Sequence, residues 1–169
     1  MGNKSQQMEL IQQMCRSRDL DVGYTFKVSR RLLESYRNAL WLHGGFSGIK
    51  DSILKAEGKD IVMEWYLRLK DLTKEEMSGI NIDSMIFNIC RTEWIICAIN
   101  SVMEKVRAFH RMGELYYDIL IGAYFSEEQK TDLELVEDLA LERSTYYRRK
   151  KEAVILCGVL LWEEAKSGA

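Results

Sequence analysis

The stretch TDLELVEDLALERSTYYRRKKEAV, residues 131–154, contains two short patterns with a break between them. In the first, Thr131 and Glu134 have the Ser/Thr-x-x-Glu spacing of a capping box, and Leu135 and Leu139 fall one helical turn apart. The second begins around Glu142–Thr145. Helical spacing puts Tyr146, Lys150, Ala153 and Cys157 on one face and Arg143, Ser144, Tyr147, Arg148 and Lys151 on another. Between 143 and 151 stand five positive charges and no negative one, in a chain whose formal net charge is −2. Two short helices joined by a tight turn, the second basic on its outward face, is the layout of a helix-turn-helix.

The rest of the chain reads as helical too. Residues 3–18 form a polar helix with Met8, Ile11 and Cys15 along one side, and RDLDVGYTF (18–26) is a break. From 27 to 43, Leu32, Leu33, Tyr36, Leu40 and Trp41 recur at spacings of three and four. Gly44 and Gly45 suit the end of that helix. A second such pattern covers 59–70, and 71–84 is a polar connector. Residues 83–110 are the longest helical run, a core helix with Trp94, Ile95 and Ile96 inside, or else an oligomer seam between copies. GELYYDILIGAYF (113–125) is a further helix, and 126–131 is a loop. The apolar AVILCGVLLW (153–162) requires cover on more than one side.

The chain of 169 residues contains no proline, which helix interiors exclude, and 47% of its residues are hydrophobic. These features predict an all-α bundle of six to eight helices without a sheet. Residues 1–110 form a helical region for packing or oligomerisation, and 111–169 carry the helix-turn-helix. The net charge excludes a generally basic nucleic-acid coat but leaves room for a local basic face. No apolar run reaches the roughly 18 residues of a membrane span. MGNKSQQMELIQQ has no apolar centre and does not read as a signal peptide, though its start loosely resembles a myristoylation site. The four cysteines form no Cys-x-x-Cys pair and read as small hydrophobes of a reduced, cytoplasmic protein.

LELVEDLALERSTYYRRKKEAV resembles the helix-turn-helix with which bacterial sigma factors read the −35 promoter element. The segment from about 99 to 162 is similar to the ArpU-type family of phage late-transcription regulators. The residues that carry this likeness are YYDILIGAYF, STYYRRKKEAV and LCGVLLW, with RRLLESYR (30–37) a loose fit to the family's N-terminal helix. The resemblance implies a sigma-like, DNA-binding regulator of late phage genes in a bacterial host, with RNA polymerase as a further partner. The chain departs from the pattern at three places. Ala140 stands where glycine is common in the turn, Val136 where a small residue is common, and Glu142 where serine usually caps the second helix.

Arg148 or Arg143 suits a base edge, because arginine grips guanine with two bonds. Ser144, Thr145, Arg149 and Lys151 suit phosphates, and Tyr147 lies on the same outward stripe. The acids of the first helix (Asp132, Glu134, Glu137, Asp138) suit a solvated or polymerase-facing surface. Nothing in the sequence nominates an enzyme, cofactor or metal site. His43 and His110 have no ligand-spaced partners, and Gly44–Gly48 follows a helix and lacks the lysine of a phosphate loop. Glu75–Glu76 and Glu127–Glu128 lie in polar loops. Three readings remain: a DNA-binding transcription regulator, a packaging protein such as a small terminase subunit, and a helical interaction protein whose basic stretch is merely solvated.

Overall fold

The computed structural model describes residues 5–42, 84, 86, 94–126 and 128–167. These are helical, with no strand among them. The described helices are α1 (Gln6–Ser17), α2 (Val22–Leu42), α3 (Trp94–Arg107), α4 (Gly113–Leu120), α5 (Asp132–Asp138) and α6 (Arg143–Ser167). α4 runs on into a π-helical turn, Ile121–Phe125. The patterns expected at 44–45, 59–70 and 71–83 lie outside the described residues, as does His43.

Ser5 starts α1 by accepting a hydrogen bond from the Met8 amide at 3.0 Å. The break expected over 18–26 is only 18–21. Asp21 Oδ1 accepts from the Tyr24 amide at 2.7 Å, and this cap starts α2 at Val22. The turn between α1 and α2 is a Schellman motif: the Leu20 amide donates to Cys15 O at 2.8 Å and the Asp19 amide to Arg16 O at 3.1 Å. Asp19 takes the left-handed conformation usually given to glycine, φ 56°.

α6 is the longest of the described helices and the axis of the bundle; much of the first part of the run expected at 83–110 lies outside the described residues. α1, α2, α3 and α4 all pack on α6. Side-chain partners give the directions. α1 runs alongside α6 in the same sense, from Ser5 at Glu152 to Arg18 at Glu163. α3 fastens near the far end, where Ser101 and Lys105 donate to Glu164 at 3.2 and 3.0 Å. α2 crosses so closely that a Cβ on Gly158 would lie 2.1 Å from Ser29 Oγ. The stretch 153–162 is therefore covered by the chain's own helices. Residues 152–159 are all buried, and Trp162 is 3% exposed.

The stripe on α3 packs inward as well. Ile95, Ile96, Val102 and Val106 are buried, with Trp94 8% exposed, so this apolar face is used within the chain. The residues of α1–α6 join one core, from Ile11 to Ala165. Burial pushes the Cys157 thiol up to about 12 and the Cys15 thiol up to about 11, so both remain protonated and pack as small apolar side chains. Removing the Trp162 ring leaves a void that neighbouring helices cannot close. Trp162→Ala should destabilise the fold by about 3–5 kcal/mol, measured as a shift of the urea midpoint with an unchanged slope.

Candidate nucleic-acid interface

α5, the turn after it and the first turns of α6 form the unit that carries the basic cluster. Thr131 caps α5 as its spacing predicted, accepting from the Glu134 amide at 3.2 Å. Leu135 seats α5 on the π-helical turn by packing against Gly122. A Cβ there would come within 2.4 Å of Leu135 Cδ2, so any larger residue would force the Leu135 side chain to shift. The inserted residue of the π turn redirects the carbonyls, with the Ser126 amide reaching back to Ile121 O at 2.9 Å.

The turn into α6 is a second Schellman motif. The Leu141 amide donates to Val136 O at 3.1 Å and the Ala140 amide to Glu137 O at 3.2 Å. Ala140, at φ 52°, therefore occupies the position for which glycine is best suited. Val136 supplies the carbonyl and stays half-buried, and exposed Glu142 immediately precedes α6.

Asp132 is not the solvated acid its helix suggested. Its Oδ1 accepts from the Tyr146 hydroxyl at 2.6 Å and from Lys150 Nζ at 2.8 Å, so it ties α5 to α6 across the turn. Partial burial works to raise its pKa. The bonds from Lys150 and Tyr146, with a further contribution from the Tyr147 hydroxyl, prevail and hold the carboxyl below the usual range. Tyr146 is fully buried. Its burial, and its bond to Asp132, push the phenol far above its ordinary value. Tyr147 stands edge-on to it at 5.3 Å and remains 47% exposed.

The five cations divide into two sets. Arg149 and Lys150 turn inward. Arg149 Nη1 lies 2.9 Å from Glu152 Oε1, with its side chain 15% exposed, so the residue expected to contact a phosphate is instead paired inside the bundle. Lys150 lies over the Tyr124 ring, 5.4 Å from its centroid. Arg143, Ser144, Tyr147 and Lys151 are exposed, and Arg148 and Thr145 are half-buried. No described carboxylate pairs with Arg143, Arg148 or Lys151, and Arg148 Nε has no hydrogen-bond partner among the described residues.

Glu152, overlooked in the sequence, is fully buried. It accepts from Tyr116 at 2.8 Å, from Arg149 and from Ser5 Oγ. Burial and this bond drive the Tyr116 phenol far above its ordinary value. The available signal was an acid one turn beyond Arg148 and Arg149, directly before an apolar run. Among the described residues no group of His, Cys, Asp and Glu side chains is placed to hold a metal ion, and no helix is long and apolar enough to cross a membrane. Compared with protein-family models, curated proteins and solved structures, the chain matches none.

Two outcomes test this geometry. Ala140→Gly should stabilise the protein by about 0.5–1 kcal/mol, since relief of the left-handed strain exceeds the entropy glycine adds to the unfolded chain; thermal melts would show it. The Asp132 contribution is present above an unfolded carboxyl value of about 3.9 and is lost as pH falls through the lower folded value. Asp132→Asn should therefore differ most from the parent at neutral pH. The gap between their urea midpoints should narrow below about pH 4.

Proposed function

We propose that this protein is a sequence-specific DNA-binding transcription regulator, a non-catalytic one, whose α5–turn–α6 unit acts as a helix-turn-helix. The observation that carries this reading is the sorting of charge along the first turns of α6. Arg149 and Lys150 are held by Glu152 and Asp132, while Arg143, Arg148 and Lys151, on one stripe with Ser144 and Tyr147, have no carboxylate partner among the described residues. A helix of this width fits the major groove, and its amino-terminal end favours phosphate. Arg148 or Arg143 reads a base edge, and Ser144, Thr145 and Lys151 contact phosphates. Arg149 instead positions α6 from within.

The likeness of residues 99–162 to ArpU-type regulators supports a role in late phage transcription inside a bacterial host. Exposed Glu134 and Glu137 on α5 suit a protein partner better than DNA, and the same likeness makes RNA polymerase that partner.

The test is Arg148→Ala with Lys151→Ala, assayed on fragments of the source genome after a melt confirms the fold. Loss of a base-reading arginine should cost about 1–3 kcal/mol and relax preference at one position. Loss of the lysine should lower the salt slope by about one. Binding and promoter activity equal to the parent's would overturn the reading.

A further inference from the structure

The positive surface of α6 continues past Lys151 onto α2. The Lys151 ammonium stands 5.2 Å from the centroid of the Phe26 ring on α2, and the Arg30 guanidinium stands 5.6 Å from the same centroid. A half-buried ring thus holds a cation of α6 beside a cation of α2. Helical spacing places Lys27, Arg30, Arg31 and Glu34 along one stripe of α2, and Lys27 and Arg30 are exposed. Glu34 is the acid on this stripe. It lies 3.7 Å from Arg30 Nε and 3.3 Å from Arg31 Nη1, so two arginines share one carboxylate. Both pairs are exposed, and exposed pairs are weak and screened by salt. Positive charge is therefore in excess from Lys151 across Phe26 to Lys27 and Arg30. The opposite side of α2 is committed to the bundle, with Thr25 and Ser29 buried against Gly158.

We infer that α2 is a second DNA-contacting element, and that Lys27 and Arg30 bind backbone phosphates beside the groove occupied by α6. The inference rests on the proposed DNA-binding role and extends it to a helix outside the helix-turn-helix. The chemistry fits phosphate rather than base edges. The cations stand at the border of the α6 stripe, and such contacts fix register and orientation without reading sequence. Phe26 aligns the two helices' charges by offering one ring to both.

The experiment measures affinity against salt concentration for a mixed-sequence duplex and for genomic fragments. It compares the parent, Lys27→Gln with Arg30→Gln, and Arg148→Ala with Lys151→Ala. The α2 variant should keep the parent's melting curve and its ratio of genomic to mixed-sequence affinity, and its salt slope should fall by about two. Lys27→Glu with Arg30→Glu should weaken binding further on both duplexes. An unchanged slope in both α2 variants, with binding weakened in the α6 variant, would overturn the α2 contact while leaving the α6 reading intact. A parent chain that binds neither duplex would overturn both.

Discussion

The structure depends on a carboxylate enclosed in protein. Glu152 sits in the middle of the bundle axis, with Ser5 of α1, Tyr116 of α4 and Arg149 of its own helix as donors. A buried acid left without partners carries a large desolvation penalty, so this group tolerates only an arrangement that brings all three to it. Apolar packing is indifferent to small slides and rotations of one helix over another, but three directed bonds to one carboxylate are not. The orientation of α6 about its own axis follows from this site.

That orientation decides which cations face water. With Glu152 turned to α1 and α4, Arg149 must follow it inward, and residues 144, 147, 148 and 151 are carried to the outside. Asp132 performs the same service from α5, holding Lys150 and Tyr146 across the Schellman turn. One fully buried acid and one partly buried acid thus divide the run of five cations into an inward and an outward set. The exposed side of α6 stays clear as far as Lys151, beyond which α2 covers the helix at Gly158.

Much of this was legible in the sequence for simple reasons. Apolar spacing of three and four residues marks a helix wherever one face is buried, and it located α1, most of α2, α3 and α6. Thr131 and Glu134 announced the start of α5 through a local rule that needs no tertiary context. The break before α2 read as too long because Gly23 and Thr25 are poor helix formers, and a single cap at Asp21 overrides them. Arg149 and Asp132 were misplaced for a deeper reason. On a helical wheel both fall on the buried side, Arg149 opposite the exposed stripe and Asp132 in line with Leu135 and Leu139; their charge argued for solvent, and only partners distant in sequence make an inward position tolerable. Glu152 was hidden likewise: Ser5 and Tyr116 lie far away along the chain, and no spacing connects them. The π turn left no pattern beyond Gly122, whose role depends on Leu135.

The apolar second half of α6 has a consequence for how the protein can change over evolution. In many regulators the DNA reader is a detachable module that can be shuffled between partners. Here the basic stripe proposed to read DNA and the mainstay of the hydrophobic core are one continuous helix, and Glu152 at their junction takes a bond from Ser5 near the opposite end of the chain. The basic end cannot be transplanted without carrying the bundle along, and the bundle cannot be trimmed without stranding a charge in its centre. If α6 reads DNA as proposed, new specificity must arise by substitution along the exposed stripe, because the architecture closes the route of domain exchange.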